Sequence, residues 1–362
     1  MPDEALAMRL IFDAHVDLAL FALAYNRDQT EDIAQINRRE AGMTDAHDRG
    51  FAAMSLPEFR RAGVAVCQST VAARTDRGRQ RLRPMDLDFG TQAMAYAFAQ
   101  GQLAYYRVLA EQGEVRLIGT RTELAEHWQC WEKGGEHLPI GLIVSMECAD
   151  PIVDPGQAQS WFEDGVRSVS LAHFGRNCYA HGTGTSGPLD GRADELLREF
   201  ERVGMILDLT HSADEGFYQA LDRFAGPVLA SHTNCRALVP GDRQFSDEQI
   251  ESLIERGAVI GTALDAWMLV PGWVLGESRP EETSLEAVVD HIDRVCQLAG
   301  NAEHAAIGTD TGGTNHMPAD FKTSEDLQQL AVILERRGYG DEDIDRIFHG
   351  NWLRFFQQWL PL

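Results

Sequence analysis

The segment LIFDAHVDLAL, residues 10–20, sets Asp13, His15 and Asp17 at every second position of an otherwise apolar run. Alternate side chains of a β-strand share one face, so all three ionisable groups project together. Burying them side by side is costly unless something compensates, and a metal ion is the usual compensator. Further apolar runs end in groups of the same kind: Glu147 closes 141–147, His173 closes 166–173, His211 closes 205–211, His232 closes 227–232 and Asp310 closes 304–310. Imidazole and carboxylate without thiolate suit borderline divalent ions such as zinc. A carboxylate central to two half-sites can bridge two ions roughly 3.5–4 Å apart, with a hydroxide held between them. On this reading His15 and Asp17 hold one metal, and Asp13, one layer deeper, orients its neighbours.

These residues need elements that bring them to one place. Apolar runs rich in β-branched residues occur at 10–17, 64–71, 141–147, 166–173, 205–211, 227–232, 258–264 and 304–310, separated by helical patterns. Strands alternating with helices imply βαβ units and a parallel sheet, and eight of them predict a closed α/β barrel of the (β/α)8 TIM type. In such barrels the C-terminal strand ends converge on one mouth, so seven polar groups on six strand ends read as a site. One domain over residues 1–362 is expected, with 21–60 and 174–191 lying over the mouth. The segment 246–257 opens with a Ser246/Gln249 capping box and ends at a glycine. Residues 283–300 pair Thr283 with Glu286 as a second box, then repeat apolar positions 285, 288, 289, 292, 295 and 296, the stripe of a helix covering a sheet. Residues 89–111 and 192–203 also read as helical.

Bulk properties exclude several classes. The 362 residues are 44% apolar, enough for a large core, and carry a net charge of −24, which argues against nucleic-acid partners. The two lysines, Lys133 and Lys322, leave almost no candidates for lysine-based catalysis. Six cysteines without a CxxC pair read as free thiols. No window is long and apolar enough to span a membrane. The acidic start runs almost directly into the first strand, without a secretory pattern, and the C-terminus is too short for a processed anchor signal, so a cytoplasmic enzyme is expected.

Taken in order, DAHVD, SMEC, LAHFGRN, ILDLTH, ASHTNCRAL, DRQFSDEQ, IGTD and GNWLRFF resemble the segments of the membrane (renal) dipeptidase family of metallopeptidases, from residue 11 to about 356. The resemblance implies a (β/α)8 barrel with two zinc ions. His15 and Asp17 match the ligands of one ion, His211 and His232 those of the other, and Glu147 the bridge. His173 and Arg243 match substrate-binding positions, His173 contacting the scissile carbonyl, and Asp310 matches the acid/base that serves the leaving amine. The implied reaction is hydrolysis of L-Xaa-L/D-Xaa dipeptides by a metal-bridging hydroxide, and the family also implies a homodimer. Two departures stand out: Gly312 replaces a second acidic residue two places after Asp310, and Cys148 replaces the glycine that usually follows the bridging glutamate. Two alternatives are hydrolysis of another small amide or ester, such as an N-acyl amino acid or lactam, and a non-hydrolytic metal-binding barrel in peptide tailoring or binding.

Other signals read as structural. GTGTSG (182–187) fits GxGxxG formally, but Pro188 follows it and the preceding strand ends at His173, so a flexible loop over the mouth is expected. Its neighbours Arg176, Asn177 and Tyr179 could meet substrate. His304 lies at the stability face of the barrel, His291 reads as a solvated residue between acidic neighbours, and His316 leaves pocket lining and a structural role open. Cys148, adjacent to Glu147, points to the opposite strand face and is not expected to coordinate metal.

Overall fold

The computed structural model describes residues 8–75, 87–274, 276–312 and 316–362. Residues 1–7, on which the reading of the chain's start rests, lie outside the described residues. All eight expected runs form strands: β1 (Ile11–Val16), β2 (Val64–Ala72), β3 (Ile140–Glu147), β4 (Val166–Ser170), β5 (Ile206–Asp208), β6 (Val228–Leu229), β7 (Ile260–Thr262) and β8 (Ala305–Ile307). Neighbours pair in parallel from β1 through β6 and again between β7 and β8. Single parallel bridges, Ala230 to Ile260 and Val16 to Thr311, join these two sheets at both edges. The circuit closes as a (β/α)8 barrel.

The two faces of β1 show how the sequence places the site. Phe12 points outward, its ring stacked on Phe356 at 5.3 Å and tilted against Trp352 at 6.3 Å, both on the helix Asn351–Trp359. Asp13 takes the opposite face and accepts from the Thr309 backbone N–H (2.8 Å), the Thr309 hydroxyl (2.6 Å) and the His15 N–H (3.2 Å). It thereby stitches β1 to the chain leaving β8. His15 and then Asp17 follow one and two steps nearer the mouth on that same face.

Helices cover the outside. Asp247–Glu255 starts with the Ser246/Gln249 capping box expected. Leu285–Ala299 buries the whole predicted stripe, but its N-cap is Ser284; Thr283 instead ends the preceding turn Pro280–Glu282. Proline at 280 opens that separate turn, so the chain re-enters helix one residue later than the Thr283/Glu286 pairing required. His291 is also corrected: it is buried at 1% exposure and accepts from the Cys235 N–H at 3.0 Å.

Between β1 and β2 the chain forms helices Leu18–Tyr25, Ile33–Glu40 and Leu56–Ala62. Arg27 anchors this region to the mouth, pairing with both oxygens of Glu40 (2.8 and 2.9 Å) and donating to the Gly312 carbonyl (2.9 Å). At Gly312 a Cβ would overlap the Phe21 ring. The aromatic side chain occupies the space that any side chain at 312 would need.

Candidate active site

At the C-terminal ends of the strands, Glu147 is the centre. Its Oε1 lies 3.3 Å from His211 Nε2, 3.3 Å from His232 Nε2, 3.4 Å from His173 Nε2 and 3.7 Å from His15 Nε2. Candidate ligand atoms fall into overlapping groups: His15, Asp17 and Glu147; Glu147, His211 and His232; and His15, His232 and Asp310. Within each group these atoms lie within 4.8 Å of one another. The first two groups are the half-sites expected from the sequence, joined through Glu147. Asp310 stands over both, 3.6 Å from His15 and 3.9 Å from His232.

The donor set fits divalent cations. Burial pulls His15 down to about 3 and His211 and His232 well below the usual histidine range, with the Arg243 charge adding to each. All three imidazoles are therefore neutral, the form that coordinates metal. His15 Nε2 is buried without a hydrogen-bond partner. Burial raises Asp17 to about 6 and Glu147 well above the carboxylate range, the Asp17 charge adding to the latter. Crowded buried carboxylates around unprotonated imidazoles are favoured by the further positive charge a metal would supply.

Residues one layer out aim these ligands, and sequence reading missed them. The Ser231 hydroxyl donates to Asp208 and lies 2.8 Å from His232 Nδ1. With its proton committed to Asp208, Ser231 accepts from Nδ1–H, leaving the Nε2 lone pair facing the cluster. Thr183 Oγ1 lies 2.9 Å from His211 Nδ1. Thr183 belongs to the loop GTGTSG. It is tied down by Thr183 N–H to the His173 carbonyl (3.0 Å) and Gly182 N–H to the Gly175 carbonyl (2.8 Å). Glycine is required at 182, because a Cβ would collide with the His173 carbonyl. Thr70 donates to Asp17.

The backbone is strained here. Among described non-glycine residues with positive φ are His211 (67°), Asp310 (58°) and Cys148 (90°), which are a candidate ligand, the candidate acid/base and the neighbour of Glu147. Such conformations persist where the surroundings over-determine them, commonly at functional sites. The Cys148 thiol donates to the Ala73 carbonyl at 3.0 Å; with φ 90° the residue has already left the strand that ends at Glu147.

Arg243 is buried at 3% exposure. Its Nη2 donates to the His232 carbonyl at 2.8 Å, while Nη1 is buried without a partner. Asp265, also missed, is buried, with its Oδ1 2.6 Å from His316 Nδ1. Burial would raise Asp265, but His316 and Arg243 together hold this carboxyl below its usual range. Burial and then the Asp265 charge push Asp310 well above its usual range. The seventh run was read as 258–264, one residue short of Asp265. Extending it would have shown a seventh polar strand end.

A cavity of about 380 Å³ opens beside His173, lined by polar groups including Arg74, Asp88, Asp150 and Asn177. Asn177 is held by Asp150 (2.7 Å) and the Leu171 carbonyl (2.8 Å), Arg176 pairs with Asp190 (2.8 Å), and Tyr179 is fully buried. Tyr179 is thus structural. His304 bonds the Ala258 carbonyl at 2.7 Å, away from the mouth.

The fold is a parallel (β/α)8 barrel with a buried imidazole–carboxylate cluster at its C-terminal mouth. More narrowly, the chain belongs to the membrane dipeptidase family (peptidase family M19), which it matches over residues 4–359. Similar proteins include dipeptidase tcpJ of Claviceps purpurea, 30% identical over 54% of this chain and 45% of the relative. Dipeptidase verJ of Clonostachys rogersoniana is 27% identical over 70% of this chain and 63% of the relative. The chain thus spans about half to two-thirds of these two proteins' length. A metallopeptidase from Rhodobacter sphaeroides, liganded with a phosphinate mimic of L-Ala-D-Ala, shares the fold with a TM-score of 0.77 at 20% identity, covering 98% of this chain and all of that one. The probable dipeptidase PvdM from Pseudomonas aeruginosa does so at 0.78 and 17% identity, covering 96% and 95%. Among the described residues no helix is long and apolar enough to cross a membrane.

Proposed function

We propose that this chain hydrolyses dipeptides with two zinc ions, His15 and Asp17 holding one, His211 and His232 the other, and Glu147 bridging them. The observation that carries this reading is the buried guanidinium of Arg243, with one unpaired nitrogen, beside a cluster able to hold metal. A fork-shaped cation next to a hydrolytic centre suits a substrate whose terminal carboxylate lies a fixed distance from the scissile bond. When bound, the ions would supply Lewis acidity, lowering the pKa of the attacking water and polarising the scissile carbonyl.

The chain's own groups supply the rest. Arg243 orients the substrate through its carboxylate, limiting the product side to one residue. His173 donates to the scissile carbonyl oxygen as negative charge develops there. Asp310, over both half-sites, accepts the attacking water's proton and passes it to the leaving nitrogen. Asp265, paired with His316, places its negative charge near Asp310. A mixed L-Xaa-L/D-Xaa dipeptide library, assayed beside N-acyl amino acids and lactams with zinc-reconstituted protein, tests this reading. Turnover of dipeptides is expected; turnover of only the other amides would overturn it.

A further inference from the structure

We propose that Arg74 is a positioning residue, locking His173 in the tautomer that carries its proton on Nε2 and aims it at the cluster. Two residues beyond β2, Arg74 enters a short strand, Arg74–Thr75, that pairs in parallel with Asp88–Phe89, Arg74 opposite Asp88. Its Nη2 donates to Asp88 Oδ2 at 2.9 Å, and its Nη1 lies 3.1 Å from His173 Nδ1. Side-chain exposures of 16% and 11% show the Arg74–Asp88 pair to be largely enclosed.

A guanidinium has only donors. His173 Nδ1 must therefore accept, because an N–H there would face another N–H. An imidazole whose Nδ1 accepts a hydrogen bond is neutral and keeps its single proton on the other nitrogen. With Nδ1 accepting, that proton sits on Nε2, the nitrogen 3.4 Å from Glu147 Oε1. The opposite tautomer would present a lone pair to an oxygen gaining negative charge and would repel it. Asp88 fixes the guanidinium plane, so the chain Asp88–Arg74–His173 reaches from the cavity wall to the reacting carbonyl. The catalytic role of the Nε2 proton rests on the dipeptidase reading; the tautomer itself does not.

The test uses zinc-loaded protein carrying ¹⁵N-labelled histidine, with the His173 signals assigned by difference from His173→Gln. Wild type is expected to show a protonated Nε2 and a pyridine-type Nδ1. In Arg74→Met, His173 should drift to mixed tautomers, and kcat should fall roughly 10²-fold, the scale of losing one preorganised donor, with KM and zinc content unchanged. Arg74→Lys restores a donor to Nδ1 and should recover the Nε2–H form and most of kcat. A merely structural arginine would change zinc content or folding while leaving the tautomer alone. Nδ1–H in the wild type overturns the proposal, as does an Arg74→Met protein that keeps Nε2–H. If Arg74→Met does not fold, the wild-type and Arg74→Lys spectra decide. Should the spectra behave as expected while no dipeptide is cut, the tautomer stands and the dipeptidase reading falls.

Discussion

Replacing Arg243 by lysine is the sharpest perturbation of substrate recognition. The guanidinium spends Nη2 on the His232 carbonyl and keeps Nη1 buried without a partner. A lysine ammonium is a point charge that cannot serve both in parallel. One charge-assisted hydrogen bond is worth about 1.5–3 kcal/mol, and about 1.36 kcal/mol is tenfold, so kcat/KM should fall roughly 10- to 150-fold. Because the carboxylate lies away from the breaking bond, most of the loss should appear in KM. The assay compares kcat/KM for a free-acid dipeptide and its C-terminal amide, in wild type and Arg243→Lys. Wild type should prefer the acid strongly, the variant hardly at all, and tripeptides should be poor substrates for wild type. Equal wild-type rates on acid and amide, or an equal fall on both in the variant, would refute the carboxylate role.

Asp310→Asn keeps the shape of the side chain but cannot relay a proton, so kcat should drop roughly 10²–10⁴-fold, with zinc content by elemental analysis unchanged. Thr183→Val removes the oxygen 2.9 Å from His211 Nδ1; zinc affinity measured by competitive titration should weaken roughly 10- to 100-fold. His291, held by burial down to about 4, is neutral in the fold and gains a proton on unfolding below about 6.5. Its contribution is therefore present above about 6.5 and lost as pH falls toward 4. His291→Gln should reduce the loss of stability over that window by about 3 kcal/mol, read from urea denaturation at several pH values.

The strands were legible because parallel barrel strands are buried on both faces and read as apolar runs, and their polar ends stood out against that background. The expected ligands emerged from the same signal, since β1 alternates Phe12 outward with Asp13 and His15 inward. The second layer was not legible. Asp208, Ser231, Thr183 and Arg74 act across strands or loops, where their partners are distant in sequence. His291 was misread from its charged neighbours, Asp290 and Asp293. Its position, three after Val288 and four before Val295, sets it on the buried stripe, and helical period outweighs adjacent charge. The Thr283 cap failed because Pro280 starts its own turn.

Titrating chelator-treated protein with zinc while following dipeptide hydrolysis tests the binuclear centre most directly. Activity should be absent without metal and rise to a plateau at two equivalents per chain, and Glu147→Ala should abolish that stoichiometry. A plateau at one equivalent with all five ligands intact, or hydrolysis that persists without metal, would contradict the account.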